Sequence, residues 1–111
     1  MNSFDEYQLA AMKFDRSPNL GLGVYPALGL TGEAGEVAEK IKKYHRDNPG
    51  PLVDPTAFRS ALEKELGDVL WYVACVATHF RIDLSSVAAT NLVKLQDRVN
   101  RGVISGSGDN R

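Results

Sequence analysis

Leu30-Thr31-Gly32-Glu33-Ala34-Gly35-Glu36-Val37 and Leu62-Glu63-Lys64-Glu65-Leu66-Gly67-Asp68-Val69 are two copies of one pattern, L-x-x-E-x-G-acid-V. Each copy sets two carboxylates three residues apart. On an α-helix those positions share a face, one turn apart. Two such helices facing each other bring Glu33, Glu36, Glu65 and Asp68 into one cluster. Four like charges at close range repel strongly unless something neutralises them. A hard divalent cation that prefers oxygen ligands is the simplest neutraliser: Mg²⁺, with Mn²⁺ as a possible substitute.

Helical periodicity supports this reading for both copies. With Val37 at zero and about 100° per residue, Leu30, Ala34, Ile41 and Tyr44 fall within about 60° of it. Glu33 then lies about 40° to one side, and Glu36 about 100° to the same side. Centred on Val69, residues Leu62, Leu66, Val73, Val76 and Phe80 form the equivalent seam, and Glu65 and Asp68 take the same offsets. Both acidic pairs thus stand on the shoulder of an apolar face, whereas ordinary surface acids stand opposite it. Gly35 and Gly67 each cost a helix interior about 1 kcal/mol relative to alanine. That cost suggests close approach of a packed neighbour.

The two copies predict helices over 26–46 and 56–80, with Pro26 in a first turn. Asp47-Asn48-Pro49-Gly50-Pro51 ends the earlier helix and opens a loop to about Pro55. An N-terminal helix is expected over 3–16, with Ser3 as cap and Glu6 completing a capping box. Residues 17–25 read as a loop, first of all a plain connector and otherwise a substrate-contacting segment. It is no Walker loop, because no G-K-[ST] follows, and no dinucleotide fingerprint, because no strand precedes it. A last helix follows Asp83, a plausible N-cap, and ends near Gly102. By composition alone, 105–111 reads as disordered. No segment alternates as a strand. The expected fold is an all-α four-helix bundle in one domain, 1–104, with a tail, 105–111.

Composition limits the function classes. The chain has 111 residues and a net charge of −1, so nothing indicates a general pull toward nucleic acid or membrane. One cysteine, Cys75, excludes an intrachain disulfide, and its apolar run suits a buried thiol. The N-terminus shows no secretory signal, and the run from Val69 to Phe80 is too short to span a bilayer. A cytoplasmic location is the default.

A di-iron carboxylate site would want Glu-x-x-His on two helices. Lys42 precedes His45 and Val76 precedes His79 at that spacing, so all-oxygen ligation of Mg²⁺ fits better. Mg²⁺ with few protein ligands keeps waters and binds substrate phosphates. Lys40 falls at about −60° on its helix, between the angles of Glu33 and Glu36, and Tyr72 takes the equivalent place on the next. Asn91 and Lys94 could complete a phosphate environment from the last helix. Phe14, Asn19, Tyr25 and Trp71 are the candidates for base recognition.

Glu33-x-x-Glu36, a gap of 28 residues, then Glu65-x-x-Asp68 resembles the signature of the all-α nucleoside triphosphate pyrophosphohydrolases, a family that includes MazG proteins and dimeric dUTPases. Gly29 to Glu39 and Glu65 to Tyr72 are especially similar to MazG-like sequences. The stretch from Asn91 to Arg111 resembles small single-domain members, including phage ones. The resemblance implies hydrolysis between the α and β phosphates, giving a nucleoside monophosphate and pyrophosphate. It implies Mg²⁺ held by Glu33, Glu36, Glu65 and Asp68, which are then also the catalytic set. It also implies a dimer or tetramer, and a location in the host cytoplasm if the chain is phage-encoded. Lys94 and Asn91 match a Lys and an Asn that the family places near the phosphates. The recurrence of the tail argues against mere disorder, with Asp109 and Arg111 folding back near the site or a neighbouring subunit. The alternative is a non-catalytic helical module that binds nucleotide or protein and keeps the metal for structure.

Overall fold

The computed structural model describes residues 3–51 and 55–111. Residues 52–54, the end of the expected loop before Pro55, lie outside the described residues. Four helices follow in order: α1 (Phe4–Ala11), α2 (Val24–Asp47), α3 (Thr56–His79) and α4 (Leu84–Asn100). Among the described residues there is no strand, and no helix is long and apolar enough to cross a membrane.

Local chemistry sets the ends of these helices. The Ser3 hydroxyl accepts the Glu6 amide at 3.1 Å, so the cap is as expected. The first helix does not reach residue 16. It tightens into a 3₁₀ turn over Met12–Phe14, then Asp15 leaves helical space (φ −69°, ψ 118°). The Asp15 carboxylate accepts the Ser17 amide at 2.9 Å, a side chain competing with the helical backbone. The next helix starts at Val24, two residues earlier than expected. Gly23 precedes it with φ +70°, and a Cβ there would lie 2.4 Å from the Phe80 ring, so both backbone and space demand glycine. Pro26 sits buried in the first turn, where its missing N–H costs nothing.

The pair α2 and α3 forms an antiparallel hairpin, the main packed unit of the chain. Its neighbours run in opposite sequence order: Gly23 with Phe80, Gly29 with Tyr72, Lys40 with Glu65, and Tyr44 stacked on Phe58. At the far end of α3, α1 packs across it and Trp71 donates its indole N–H to the Ala11 carbonyl at 3.0 Å.

The start of α4 corrects one expectation. Asp83 makes no side-chain cap. Instead, α1 supplies the caps: Gln8 accepts the Leu84 amide at 2.8 Å, and Asp5 accepts the Ser85 amide at 2.9 Å. The Gln8 amide group also donates to the Thr78 hydroxyl and the Ile82 carbonyl, tying three elements together.

The four helices do not close into a bundle within one chain. Neither α1 nor α4 packs on α2. The radius of gyration is 17.0 Å, against about 13 Å for a compact chain of this length. The accessible surface is 8089 Å², against about 6,000 Å² for a monomer of this mass. Among the described residues, the buried apolar ones are few and mostly small: Ala11, Pro26, Ala74, Cys75, Ala77 and Leu84. The expected seams are only half buried, and Ala34, Ile41, Leu66 and Phe80 are exposed. On α4, Leu92 and Val93 are 67% and 71% exposed, because no other helix of the chain covers that side.

The tail corrects the expectation of disorder drawn from its composition. Arg98, buried at 5% exposure, donates to the backbone carbonyl and carboxylate of Asp109 at 3.1 and 3.2 Å. Arg111 donates to the carbonyls of Val103 and Ile104 at 2.9 and 3.1 Å. Charge-assisted bonds to backbone fold the glycine-rich segment back on α4.

Candidate metal centre

The antiparallel register of α2 and α3 decides the site. It sets the first acidic pair against the second across the hairpin. Carboxylate oxygens of Glu33, Glu65 and Asp68 converge, all within 4.8 Å of one another. Glu36, one turn along from Glu33, stays exposed and outside this trio, though its charge still reaches Glu33. Partial burial, then the negative charges of Asp68, Glu65 and Glu36, push the Glu33 carboxyl above its ordinary range. A proton or a cation relieves that repulsion.

Mg²⁺ binds oxygens at 2.0–2.1 Å in an octahedron, which puts adjacent ligands about 3 Å apart and opposite ones about 4.2 Å apart. Oxygens held within 4.8 Å reach those spacings by small side-chain rotations. Three hard oxygen donors, with no sulfur or imidazole among them, suit such an ion.

Lys40 lies beside the cluster, its ammonium 3.7 Å from Glu65. Tyr72 packs against α2 at Gly29, where an added Cβ would lie 2.2 Å from its ring. Burial and the neighbours Tyr25 and Glu33 raise the Tyr72 phenol. The close helix approach is therefore at Gly29. Gly35 and Gly67, expected to meet a packed neighbour, have nothing within 4 Å of an added Cβ.

The remaining candidates form a second group on α4. Asn91 and Lys94 line a shallow hollow with Ile82, Ser86, Val87 and Thr90. The Lys94 ammonium is 3.2 Å from Asp109, which also meets Arg98. Since α2 and α4 do not pack together, Asn91 and Lys94 stand apart from Glu33 and Glu36 within one chain. Arg111 spends its guanidinium on backbone carbonyls of the tail. Among the base-recognition candidates, Phe14 is exposed, Asn19 accepts the Gly21 amide at 3.3 Å, and Trp71 is committed to α1.

One neighbour of the cluster was invisible to periodicity. Burial and the Asp68 charge raise the Tyr7 phenol, so α1 brings a hydroxyl toward the acids.

Comparison with known proteins identifies the family. The model of the MazG nucleotide pyrophosphohydrolase domain matches residues 26–103, which contain all four carboxylates. The chain is similar to the Gene 37 protein of Mycobacterium phage L5, with 48% identity covering 96% of this chain and 97% of the phage protein. It is also similar to the dCTP pyrophosphatase 1 of mouse, at 37% identity over 59% of this chain, and of human, at 42% over 51%. These matches span only 38% and 34% of the mouse and human proteins. No solved structure matches the chain. The paired acidic motifs, the all-helical fold and the extent of the match together place the chain in the MazG nucleotide pyrophosphohydrolase domain family.

Proposed function

We propose that the chain hydrolyses nucleoside triphosphates, with Mg²⁺, to the monophosphate and pyrophosphate. The observation that carries this reading is the convergence of Glu33, Glu65 and Asp68 across the α2–α3 hairpin. Those three would hold the ion, with Glu36 swinging in from the next turn. When bound, Mg²⁺ would offset the charge of the triphosphate oxygens and lower the pKa of a coordinated water.

Lys40 lies on the α2 face of the cluster and pairs with phosphate charge once Glu65 turns to the ion. Tyr72, packed against Gly29, stands near Glu33 and walls the site. Water oxygen attacks the α phosphorus, the α–β anhydride bond breaks, and the water proton passes to a free carboxylate oxygen of Glu36. Nucleotide pool control or removal of non-standard nucleotides is the fitting role, in the cytoplasm.

The site is completed by self-association. Apolar side chains stand exposed on α3 and α4, and the chain carries about 2,000 Å² more surface than its mass requires. That excess is comparable to what specific interfaces bury. A second copy seated there brings its Asn91 and Lys94, freed from Asp109, to the phosphates. The relatives' name makes dCTP the first substrate to try. The test is product analysis over a panel of nucleoside triphosphates with and without Mg²⁺. Monophosphate and pyrophosphate in equal amounts are expected. Orthophosphate and diphosphate, or no turnover on any triphosphate, would overturn the reading.

A further inference from the structure

Away from the acidic cluster, Asp15, Cys75 and His79 bring a carboxylate oxygen, a thiol sulfur and an imidazole nitrogen within 4.8 Å of one another. Cys75 and His79 lie one turn apart on α3, and Asp15 enters from the bend after the 3₁₀ turn. The Asp15 carboxylate is 2.9 Å from His79 Nε2, and Cys75 Sγ is 3.6 Å from the same nitrogen. The Ser17 hydroxyl bonds Asp15 and lies 3.9 Å from Cys75 Sγ.

The shared nitrogen decides between two chemistries. A nucleophilic relay needs the acid on one ring nitrogen and the thiol on the other. Here both face Nε2, so the three donors point at one spot instead of forming a chain. The thiol is fully buried, and burial raises it, which further disfavours a free nucleophile.

Convergence on one spot is what a tetrahedral metal requires. Zinc–sulfur and zinc–nitrogen bonds of about 2.3 and 2.0–2.1 Å put the two ligand atoms about 3.5 Å apart. Cys75 and His79 stand at 3.6 Å. The oxygen–nitrogen spacing of 2.9 Å opens by about 0.4 Å to reach the corresponding tetrahedral value. The side chains of Asp15 and His79 each keep 23% exposure, so an ion can enter from solvent.

We propose that Asp15, Cys75 and His79 form a binding site for a borderline-soft divalent cation, Zn²⁺, with the Ser17 hydroxyl or a water in the fourth position. The donor set separates it from the acidic cluster: thiolate and imidazole favour zinc, and three carboxylates favour Mg²⁺. Binding fastens the segment between the 3₁₀ turn and α2 onto α3, and so fixes α1 against the hairpin.

Cobalt titration of the full chain, freed of metal by chelation, tests this. One Co²⁺ per chain should bind with a thiolate-to-cobalt charge-transfer band, Zn²⁺ should displace it, and excess Mg²⁺ should not. Cys75→Ser should remove the band. His79→Asn, at a partly exposed position that leaves the core thiol in place, should weaken binding by more than ~100-fold, the upper end of what losing an outer-shell partner costs. Asp68→Asn should leave both band and affinity unchanged. Absence of the band in the unmodified chain overturns the proposal. So does affinity in folded His79→Asn within tenfold of the unmodified chain, or loss of the band in Asp68→Asn.

Discussion

Replacing single glycines of α2 by alanine tests the helix packing that builds the site. Ordinarily the change gains about 1 kcal/mol, because alanine loses less backbone freedom in a helix. At Gly32 an added Cβ meets nothing within 4 Å, so Gly32→Ala should show that gain. At Gly29 the Cβ would lie 2.2 Å from Tyr72 Cε1 and 2.4 Å from Cζ, against 3.4 Å for an ordinary contact. The ring must retreat by the difference, 1.2 Å. Trp71, edge-on to that ring at 5.0 Å, resists the retreat. Such overpacking costs about 1–3 kcal/mol. After the propensity gain, Gly29→Ala should be destabilised by up to about 2 kcal/mol, a contrast of about 1–3 kcal/mol with Gly32→Ala. Urea unfolding followed by circular dichroism measures it, with protein concentration held constant between the two variants. Displacement of Tyr72 should also lower turnover in Gly29→Ala alone. Equal stabilisation of the two variants would refute the close approach of α2 and α3 at Tyr72.

Other perturbations probe the rest of the chain. Arg98→Met should release the tail, at about 2–3 kcal/mol for its charge-assisted bonds, and residues 103–111 should lose protection from hydrogen exchange while the α2–α3 hairpin keeps it. Gln8→Ala should cost about 1–2 kcal/mol, since it strips the Leu84 amide of its cap and leaves the Thr78 hydroxyl one partner short, as urea unfolding will read. Burial opposes ionisation of Asp15, but the Ser17 hydroxyl, His79 and the Ser17 amide together hold its carboxyl down to about 2, below the ordinary 3.8. The unfolded chain therefore binds the proton more readily. The resulting stabilisation, about 1–2 kcal/mol after allowance for partial exposure, is complete above pH 3.8 and fades as the pH falls to about 2. In chelator-treated protein, the stability difference from Asp15→Asn should shrink over that interval. Thermal unfolding should shift upward with protein concentration, and Leu92→Asp, on the uncovered side of α4, should abolish the shift.

The sequence made much of this legible because the acidic motifs repeat in phase with their apolar seams. That coincidence needs no tertiary information beyond two helices facing each other, and Glu33, Glu65 and Asp68 do converge. Features that depend on distant residues were hidden. Asp83 looked like a cap, yet Asp5 and Gln8, nearly eighty residues earlier, do the capping. The tail looked disordered because composition does not reveal that Arg98 is buried beneath it. Gly35 and Gly67 drew attention through their helix cost, but the glycine that meets a side chain is Gly29. His79 was read only against a Glu-x-x-His pattern, so its one-turn spacing from Cys75 went unused, and Asp15 completes that group only through the fold.

The central claim is that the converged carboxylates hold the ion that hydrolysis needs. Its most direct test is Mg²⁺-dependent pyrophosphate release from dCTP and the other triphosphates by Glu33→Gln, Glu65→Gln and Asp68→Asn. Each removes one charge and keeps the side-chain shape. Activity should fall at least ~100-fold in each, as for loss of a group that acts on the reacting phosphate, with the helical circular dichroism signal intact. Turnover at the unmodified rate in any folded variant of the three would contradict the claim.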